Sequence, residues 1–410
     1  MLNTYPVGKF VFHGTGREYF KIWIVNLVLT VATLGIYAAW AKVRTRKYFY
    51  QCTELSGNRF DYHGDPKAIL KGNSIVAAIA LTYVISGTYA PGLSAFIMLS
   101  VVCLMPFFLV SSLRFHLANC SYRGLRFSFN GSVATAYGKL AVAILISLSC
   151  FFVLGILYAI ASRVFDLEFY PVLSSMLIIA TPIVLAISMS LVVAVFISGL
   201  RLFVMNNSMF GNASISCNAR FAQFSKTTLK SVSIGCVVML LLAIVAFVVN
   251  VSVFTGLVDF ALPAASEPAT LQDEAAQEQA QVAMQATAIL SSMGIITVLG
   301  YVVLFAFGTY LKTAIDNLVW NNTMLANQHQ FRSTASPMTA TWIHISNILL
   351  IIGTLGLFLP FAQIRTTRYR ISNMTFEPVG SINEIVRIEQ AKQKVFGDSM
   401  ADALGLELGI

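Results

Sequence analysis

The chain has 410 residues, of which 57% are hydrophobic and only 11% are charged, and its formal net charge is +9. Soluble domains carry about 25% charged residues, so this composition excludes a water-soluble globular protein. The positive charge lies beside apolar segments, as Lys and Arg do on the cytoplasmic side of a membrane, and it therefore requires no nucleic-acid partner.

The first apolar segment covers residues 22–41 and is interrupted by the Thr-Leu-Gly sequence Thr33–Gly35. A copy near the other end of the chain, residues 343–362, is interrupted in the same way by Thr354–Gly356. Each segment is either a transmembrane helix or a re-entrant helical hairpin, which enters and leaves the membrane by one face. Charge favours the hairpins, because re-entry leaves every Lys and Arg except Arg163 on one side.

Five stretches between these two segments lack Asp, Glu, Lys and Arg, and each is long enough to cross a bilayer core, which takes about 20 residues. The first stretch is long enough to cross twice, with a turn at Ala90–Gly92. We therefore expect six full transmembrane helices. The stretches cover residues 73–113, 140–162, 171–200, 231–258 and 282–311.

A short motif follows the apolar segments in five copies, which indicates one structural unit used several times. It begins with a basic residue, or with Asp316 in one copy, and it places an Asn, or Cys52 in the first copy, five residues later. The units are expected to cover approximately residues 9–57, 58–124, 125–211, 212–326 and 327–378.

Aromatic residues alternate in the segments around these motifs, as Phe60 with Tyr62 and Phe127 with Phe129 do, and this spacing is typical of β-hairpins. We therefore predict a mainly α polytopic membrane protein with a small β-hairpin cap on the cytoplasmic side. Strands of neighbouring units could pair into a small sheet that the terminal strands close. The single repeat-built domain covers residues 1–380, with an acidic external loop at 259–286 and a charged C-terminal tail at 381–410.

One run of residues carries a specific resemblance to a known family. It contains Trp23, Asn26, Thr33–Gly35, Tyr37, Trp40–Arg44 and Tyr48, and it continues with Gly57, Phe60–Tyr62 and Gly64. This run resembles the YjgN-like family of bacterial inner-membrane proteins, a domain of unknown function, over nearly the whole chain. Ala39 stands where Pro is expected, and Cys52 stands where that family usually has Asn. The resemblance implies a multi-pass inner-membrane protein, and it supplies no catalytic residue, substrate or cofactor.

The repeated motif provides a first candidate site. Its basic residues either favour helix dipoles and reach lipid headgroups, or converge on an anion or headgroup with Asp316 as an internal counter-charge. Its asparagines either bond to backbone at helix-to-strand junctions or form a polar ring on the bundle axis. The members of this Arg/Asn site are Lys47, Arg114, Arg201, Arg368, Asn119, Asn206, Asn321 and Asn373.

The two Thr-Leu-Gly segments provide a second candidate site. Their small residues either permit close helix packing or mark helix breaks inside the protein, and paired breaks at matching ends of a repeated chain point to a transport site. Asn26 and Asn347 would supply its polar groups. The full set is Asn26, Thr33, Gly35, Asn347, Thr354 and Gly356.

Neither a catalytic pattern nor a metal-ligand spacing is present, so we expect no enzyme activity, cofactor or metal. We expect a transport or handling protein for a small molecule, an anion or a lipid, with anionic headgroups on the cytoplasmic side as partners. The alternative is a scaffold that recruits an unidentified protein through the cap or the acidic loop. We expect both termini to be cytoplasmic and the protein to lie in the bacterial inner membrane.

Overall fold

The computed structural model describes residues 7–164, 171–264, 300–379, 386–388 and 390. Most of the predicted acidic loop at 259–286 and most of the predicted tail at 381–410 lie outside these residues. The scaffold hypothesis that depends on this loop therefore stays a prediction.

The described chain follows one order of elements, a strand, two helices and a strand, five times in succession. Helices α1 to α10 cover Gly16–Ala32, Ala38–Gln51, Pro66–Tyr89, Pro91–Ala118, Val133–Val164, Pro171–Asn206, Phe221–Ala264, Gly300–Asn321, Pro337–Gly353 and Leu359–Ser372. Strands β1 to β10 cover Gly8–Phe12, Thr53–Leu55, Asn58–Tyr62, Cys120–Tyr122, Leu125–Phe129, Ser208–Phe210, Ala213–Cys217, Thr323–Leu325, His329–Ser333 and Met374–Glu377.

The ten strands form one closed barrel, in which each strand pairs antiparallel with both neighbours. Strands β1 and β10 close the barrel, with Gly8 opposite Phe376. The predicted β-hairpin cap is therefore a single closed barrel, in which strands of neighbouring units pair and the terminal strands close the sheet. Closure has a physical reason, because strands of three to five residues would otherwise leave unpaired backbone groups at two sheet edges.

Aromatic side chains line the inside of the barrel. Directly paired strand residues bring their rings together, with ring centroids 4.7 Å apart for Phe60 and Tyr122 and 4.9 Å apart for Phe127 and Phe210. Phe331 on β9 and Phe376 on β10 are paired in the same way, and their ring centroids are also 4.9 Å apart. The alternation seen in the sequence therefore places Phe60 and Phe127 on the inner face, and these rings form the barrel core together with their cross-strand partners.

Helices α3 to α8 are the six helices of the described chain that are long and apolar enough to cross a membrane. They include the predicted double crossing, which turns at Ala90 between α3 and α4. Each successive pair of helices leaves the barrel from one strand and returns to another. The starts and ends of all the helix pairs are therefore held at the same barrel.

The two Thr-Leu-Gly sequences are turns between helices. Leu34 and Gly35 have φ angles of 49° and 92°, and this left-handed backbone reverses the chain between α1 and α2. The Thr33 hydroxyl accepts a hydrogen bond from the backbone N–H of Tyr37 at 2.9 Å, which supports the first turn of α2. The second sequence, between α9 and α10, has nearly the same φ angles at Leu355 and Gly356, 50° and 92°. Both segments are thus helical hairpins.

Candidate functional site

The repeated asparagines cap the C-terminal ends of the helices that precede the strands. Each amide donates to the carbonyl oxygen four residues earlier, which satisfies an acceptor that the end of the helix leaves free. The residues in this position are Asn119, Asn207 and Asn373, each at 2.7 Å, and Asn322 at 2.8 Å.

In the third and fourth units, the sequence motif is therefore shifted by one residue relative to the structural repeat. Asn206 and Asn321 precede the cap position, because both units carry an Asn-Asn doublet. Their Oδ1 atoms accept hydrogen bonds from the backbone N–H groups of Cys217 and Ser333, both at 2.6 Å. These contacts join each helix end to the following hairpin, and they favour the structural interpretation of the asparagines over a polar ring.

Two arginines of the motif also bind backbone. Arg114 donates to the carbonyl oxygen of Gly131 and Arg368 to that of Gly14, both at 2.8 Å. In the fourth unit, Asn317 occupies the same position and donates to the corresponding carbonyl at 2.6 Å. Each bond fastens a helix end to the loop that begins the next unit, and the Arg368 bond joins the last unit to the first.

Lys47 and Arg201, the two remaining basic residues of the motif, lie in different surroundings. Lys47 is exposed. Arg201 pairs with Asp316, with Nη2 and Oδ1 2.6 Å apart and the two side chains 34% and 16% exposed. The one-residue shift accompanies this contact, since Asp316 precedes Asn317, which binds backbone in the fourth unit, and Arg201 occupies the same motif position as Asp316. The structure therefore pairs Asp316 with a single arginine.

Asn26 and Asn347 lie inside the two hairpins. Asn347 donates from Nδ2 to the carbonyl oxygen of Ala362 at 3.3 Å, and its Oδ1 accepts from Arg365 Nη1 at 3.2 Å. Asn26 donates to the matching carbonyl of Ala41 at 3.5 Å, but its buried Oδ1 has no hydrogen-bond partner among the described residues. Both amides fasten the two helices of their own hairpin together.

Sequence reasoning missed an apolar chamber where the barrel meets the helices. Its volume is about 420 Å³, within the range of about 300–1,000 Å³ that is usual for ligand pockets. Leu113, Val204 and Trp320 line it from the ends of α4, α6 and α8. The barrel contributes apolar and aromatic side chains, among them Phe10, Leu55, Phe60, Tyr122, Phe127 and Phe331.

Two cavities between the helices adjoin this chamber. One, of about 490 Å³, lies among α8, α9 and α10, is lined by Lys312, Asp316 and Arg370, and shares Trp320 with the chamber. The other, also about 490 Å³, lies among α4, α6 and α8, is lined by Arg201 and Lys312, and shares Val204 and Met205 with the chamber. Basic side chains therefore line cavities that share wall residues with an apolar space.

A sequence signal for these two cations existed. Arg201 and Lys312 are each the first charged residue after a charge-free stretch, residues 171–200 and 282–311. That position places a cation at the end of a transmembrane helix, beside the membrane surface. The convergence of the two residues on one cavity depends on packing between helices and could not be inferred from the motif.

Comparisons with known proteins place the chain in a family. A family model described as a bacterial protein of unknown function, DUF898, matches residues 7–403. The "Inner membrane protein YjgN" of Salmonella typhimurium is 28% identical over 373 residues, which cover 86% of this chain and 84% of that protein. The protein of the same name from Escherichia coli K12 is 36% identical over 135 residues, 31% of this chain and 32% of its own length.

The O157:H7 strain of E. coli has a protein of that name that is 37% identical over 134 residues. This chain thus matches about a third of the length of either E. coli relative, 32% in both alignments, and most of the Salmonella one. No solved structure matches. Since the family model covers nearly the whole sequence, the chain belongs to the DUF898 family of bacterial proteins of unknown function.

Proposed function

We propose that this protein handles an anionic lipid in the bacterial inner membrane, and that the lipid headgroup binds in the cavities lined by Arg201 and Lys312. The observation that carries the proposal is the excess of basic side chains on these walls, because Arg201, Lys312 and Arg370 line the two cavities and Asp316 is the one carboxylate among the described residues that do. Charge-assisted hydrogen bonds from such cations recognise phosphate and carboxylate groups. The inner-membrane location is supported by the names of the relatives.

The proposal includes a topology, in which the hairpins α1–α2 and α9–α10 re-enter the membrane. Helix α2 has four uncharged residues, Ala38–Ala41, before Lys42, and these rise about 6 Å at 1.5 Å per residue. Helix α10 has six such residues before Arg365, which rise about 9 Å. Neither return helix can cross a hydrocarbon core of about 30 Å. The barrel and both ends of the described chain then lie on the basic, cytoplasmic side.

A lipid fits these cavities better than a small hydrated anion does. The walls around Lys312 are mostly apolar, with Leu304, Phe305 and Ile343 beside it in one cavity. An ion that lost its water there would replace few of its hydrogen bonds, whereas a lipid brings its own apolar chains into contact with these side chains. The basic cavities also share lining residues with the apolar chamber at the barrel, which favours a binding protein for amphiphiles over an open anion conduit.

Lipid retention tests the proposal. The purified protein in detergent is given equal amounts of phosphatidylglycerol and phosphatidylethanolamine, and the bound lipids are measured by native mass spectrometry. We expect the wild type to retain phosphatidylglycerol preferentially. Lys312→Gln should weaken that retention at least about tenfold, because one charge-assisted hydrogen bond contributes about 1.5–3 kcal/mol.

Lys139→Gln is the matched control, since Lys139 is exposed on α5 and lines none of the cavities described above. The same loss of retention in both variants would show that only the overall charge matters. Equal retention of the two lipids by the wild type would overturn the proposal.

A further inference from the structure

The geometry points to the barrel chamber as the binding site for the hydrocarbon tail of a single-chain anionic amphiphile, a fatty acid or a lysolipid. This inference rests on the proposed function, because it assigns the tail of the ligand whose headgroup binds beside Arg201 and Lys312. It goes further in one respect. The barrel lies beyond the ends of the helices, so a tail in the chamber has left the bilayer.

The chamber has few polar groups to hold water. The hydroxyl of Tyr122 donates to the carbonyl oxygen of Leu55 at 2.8 Å, and burial raises the pKa of this hydroxyl, so that it stays neutral. The sulfur of Cys120 lies 3.0 Å from the His116 carbonyl oxygen. A buried water needs two to four polar partners, and these groups are already bonded to protein. Such a space favours hydrocarbon over water.

The far end of the chamber is covered. Val386, which is 6% exposed, lines the chamber and belongs to the same buried cluster as Leu125 and Leu325, which adjoin hairpin turns. Gln390 holds this segment in place by donating to the carbonyl oxygen of Arg123 at 3.0 Å. The chamber therefore has a floor on the side away from the helices, and it adjoins the basic cavities on the other side.

Size limits the ligand to one chain. An apolar cavity of about 150 Å³ is large enough to bind benzene. The chamber, at about 420 Å³, is less than three times that volume. It therefore has room for part of one acyl tail, while the two tails of a phospholipid would need to enter side by side between Leu113, Val204 and Trp320. A diacyl lipid can place its headgroup in the basic cavity without placing its tails in the barrel.

Trp320 lies on the wall between the chamber and the basic cavity and is a built-in reporter. Replacing Trp23, Trp40 and Trp342 by Phe leaves it as the single tryptophan of the chain, which has four. A fatty acid brominated in mid-chain should quench its fluorescence at saturation, since bromine quenches at contact distance. A diacyl phosphatidylglycerol brominated at the same carbon should quench it much less.

Filling the chamber tests the site itself. Val204→Phe and Leu325→Phe add side-chain volume from the helix side and from the barrel side, and each should raise the fatty-acid concentration needed for half-maximal quenching at least about fivefold, because overpacking opposes binding. Val11→Phe is the matched control, because Val11 is 42% exposed on the outside of the same barrel. Thermal unfolding identifies any variant that fails to fold.

Failure of the two proposals can be told apart. If the fatty acid quenches the filled variants as strongly as it quenches Val11→Phe, and the protein still prefers phosphatidylglycerol, then the chamber is not the tail-binding site and the headgroup site stands. If the wild type shows no preference for phosphatidylglycerol, but the filled variants still lose quenching by the fatty acid, then the headgroup site is overturned and the chamber stands. Equal quenching by the diacyl lipid overturns the single-chain assignment.

Discussion

At the scale of single residues, the two hairpin asparagines show how equivalent positions differ in energy. Asn347 has partners for both its amide nitrogen and its oxygen, whereas the oxygen of Asn26 has none among the described residues. A buried polar atom without a partner costs free energy, so Asn26 contributes less to stability than Asn347. Arg365 makes the difference, because the corresponding Arg44 has no hydrogen bond to Asn26 in the structure.

Substituting leucine at each position should reveal this difference. Asn347→Leu removes a fully bonded amide and is expected to lower the free energy of unfolding by about 1–3 kcal/mol. Asn26→Leu should lower the free energy of unfolding by clearly less, because this substitution also removes the unpaired oxygen. Thermal unfolding of the two variants in the same detergent measures both effects. A larger loss for Asn26→Leu would be inconsistent with these contacts.

His329 provides a pH-dependent test of the barrel. Burial lowers the pKa of His329, and its Nδ1 accepts a hydrogen bond from the backbone N–H of Val379 at 3.0 Å, which requires that nitrogen to be unprotonated. The unfolded chain therefore takes up a proton near the ordinary pKa of about 6.5, while the folded barrel resists it. The contribution of this histidine is fully present above that pH and is lost progressively below it.

The unfolding temperature should thus fall between about pH 7.5 and about pH 5.5, and His329→Asn should reduce that fall. The side-chain oxygen of asparagine can still accept from Val379, and it does not titrate. An identical pH dependence in the variant would exclude His329 as a source of the effect.

At the scale of the elements, the sequence predicted local structure better than it predicted long-range contacts. The Thr-Leu-Gly turns, the α3–α4 turn at Ala90 and the alternating strands were all visible, because glycine, proline and residue alternation act over a few positions. The exact repeat register was missed at Asn206 and Asn321, where a neighbouring asparagine imitates the motif. Barrel closure pairs residues as far apart as Gly8 and Phe376, and no local pattern specifies such partners.

The Arg368 bond to Gly14 supports that closure, since it holds α10 against the loop that follows β1. Arg368→Gln should increase the hydrogen-exchange rates of the β1 and β10 amides at least about tenfold, because a hydrogen bond from a charged donor contributes about 1.5–3 kcal/mol to local stability. Lys47→Gln, at an exposed member of the same motif, should leave the exchange unchanged. Equal exchange in the two variants would show that the bond does not stabilise the closure.

At the scale of the whole molecule, the central claim is that one barrel gathers both ends of the described chain on one side of the membrane. Because β1, β10 and all the strands between them belong to this barrel, no helix pair can end on the other side. We therefore propose that the hairpins re-enter the membrane and that the basic cavities face the same compartment as the barrel. The chamber was beyond sequence reasoning for a related reason, since its volume depends on how side chains from all five units fill one space.

Cysteine labelling in intact cells tests this claim most directly. Single cysteines replace Lys9, Arg126 and Arg332, which are exposed on β1, β5 and β9, in a chain whose own six cysteines are changed to serine. Tyr89→Cys, at the far end of α3, reports the opposite side. A membrane-impermeant maleimide should label only the Tyr89 position in intact cells and all four positions after permeabilisation. Labelling at position 9 or 332 in intact cells, with position 126 protected, would contradict the single barrel.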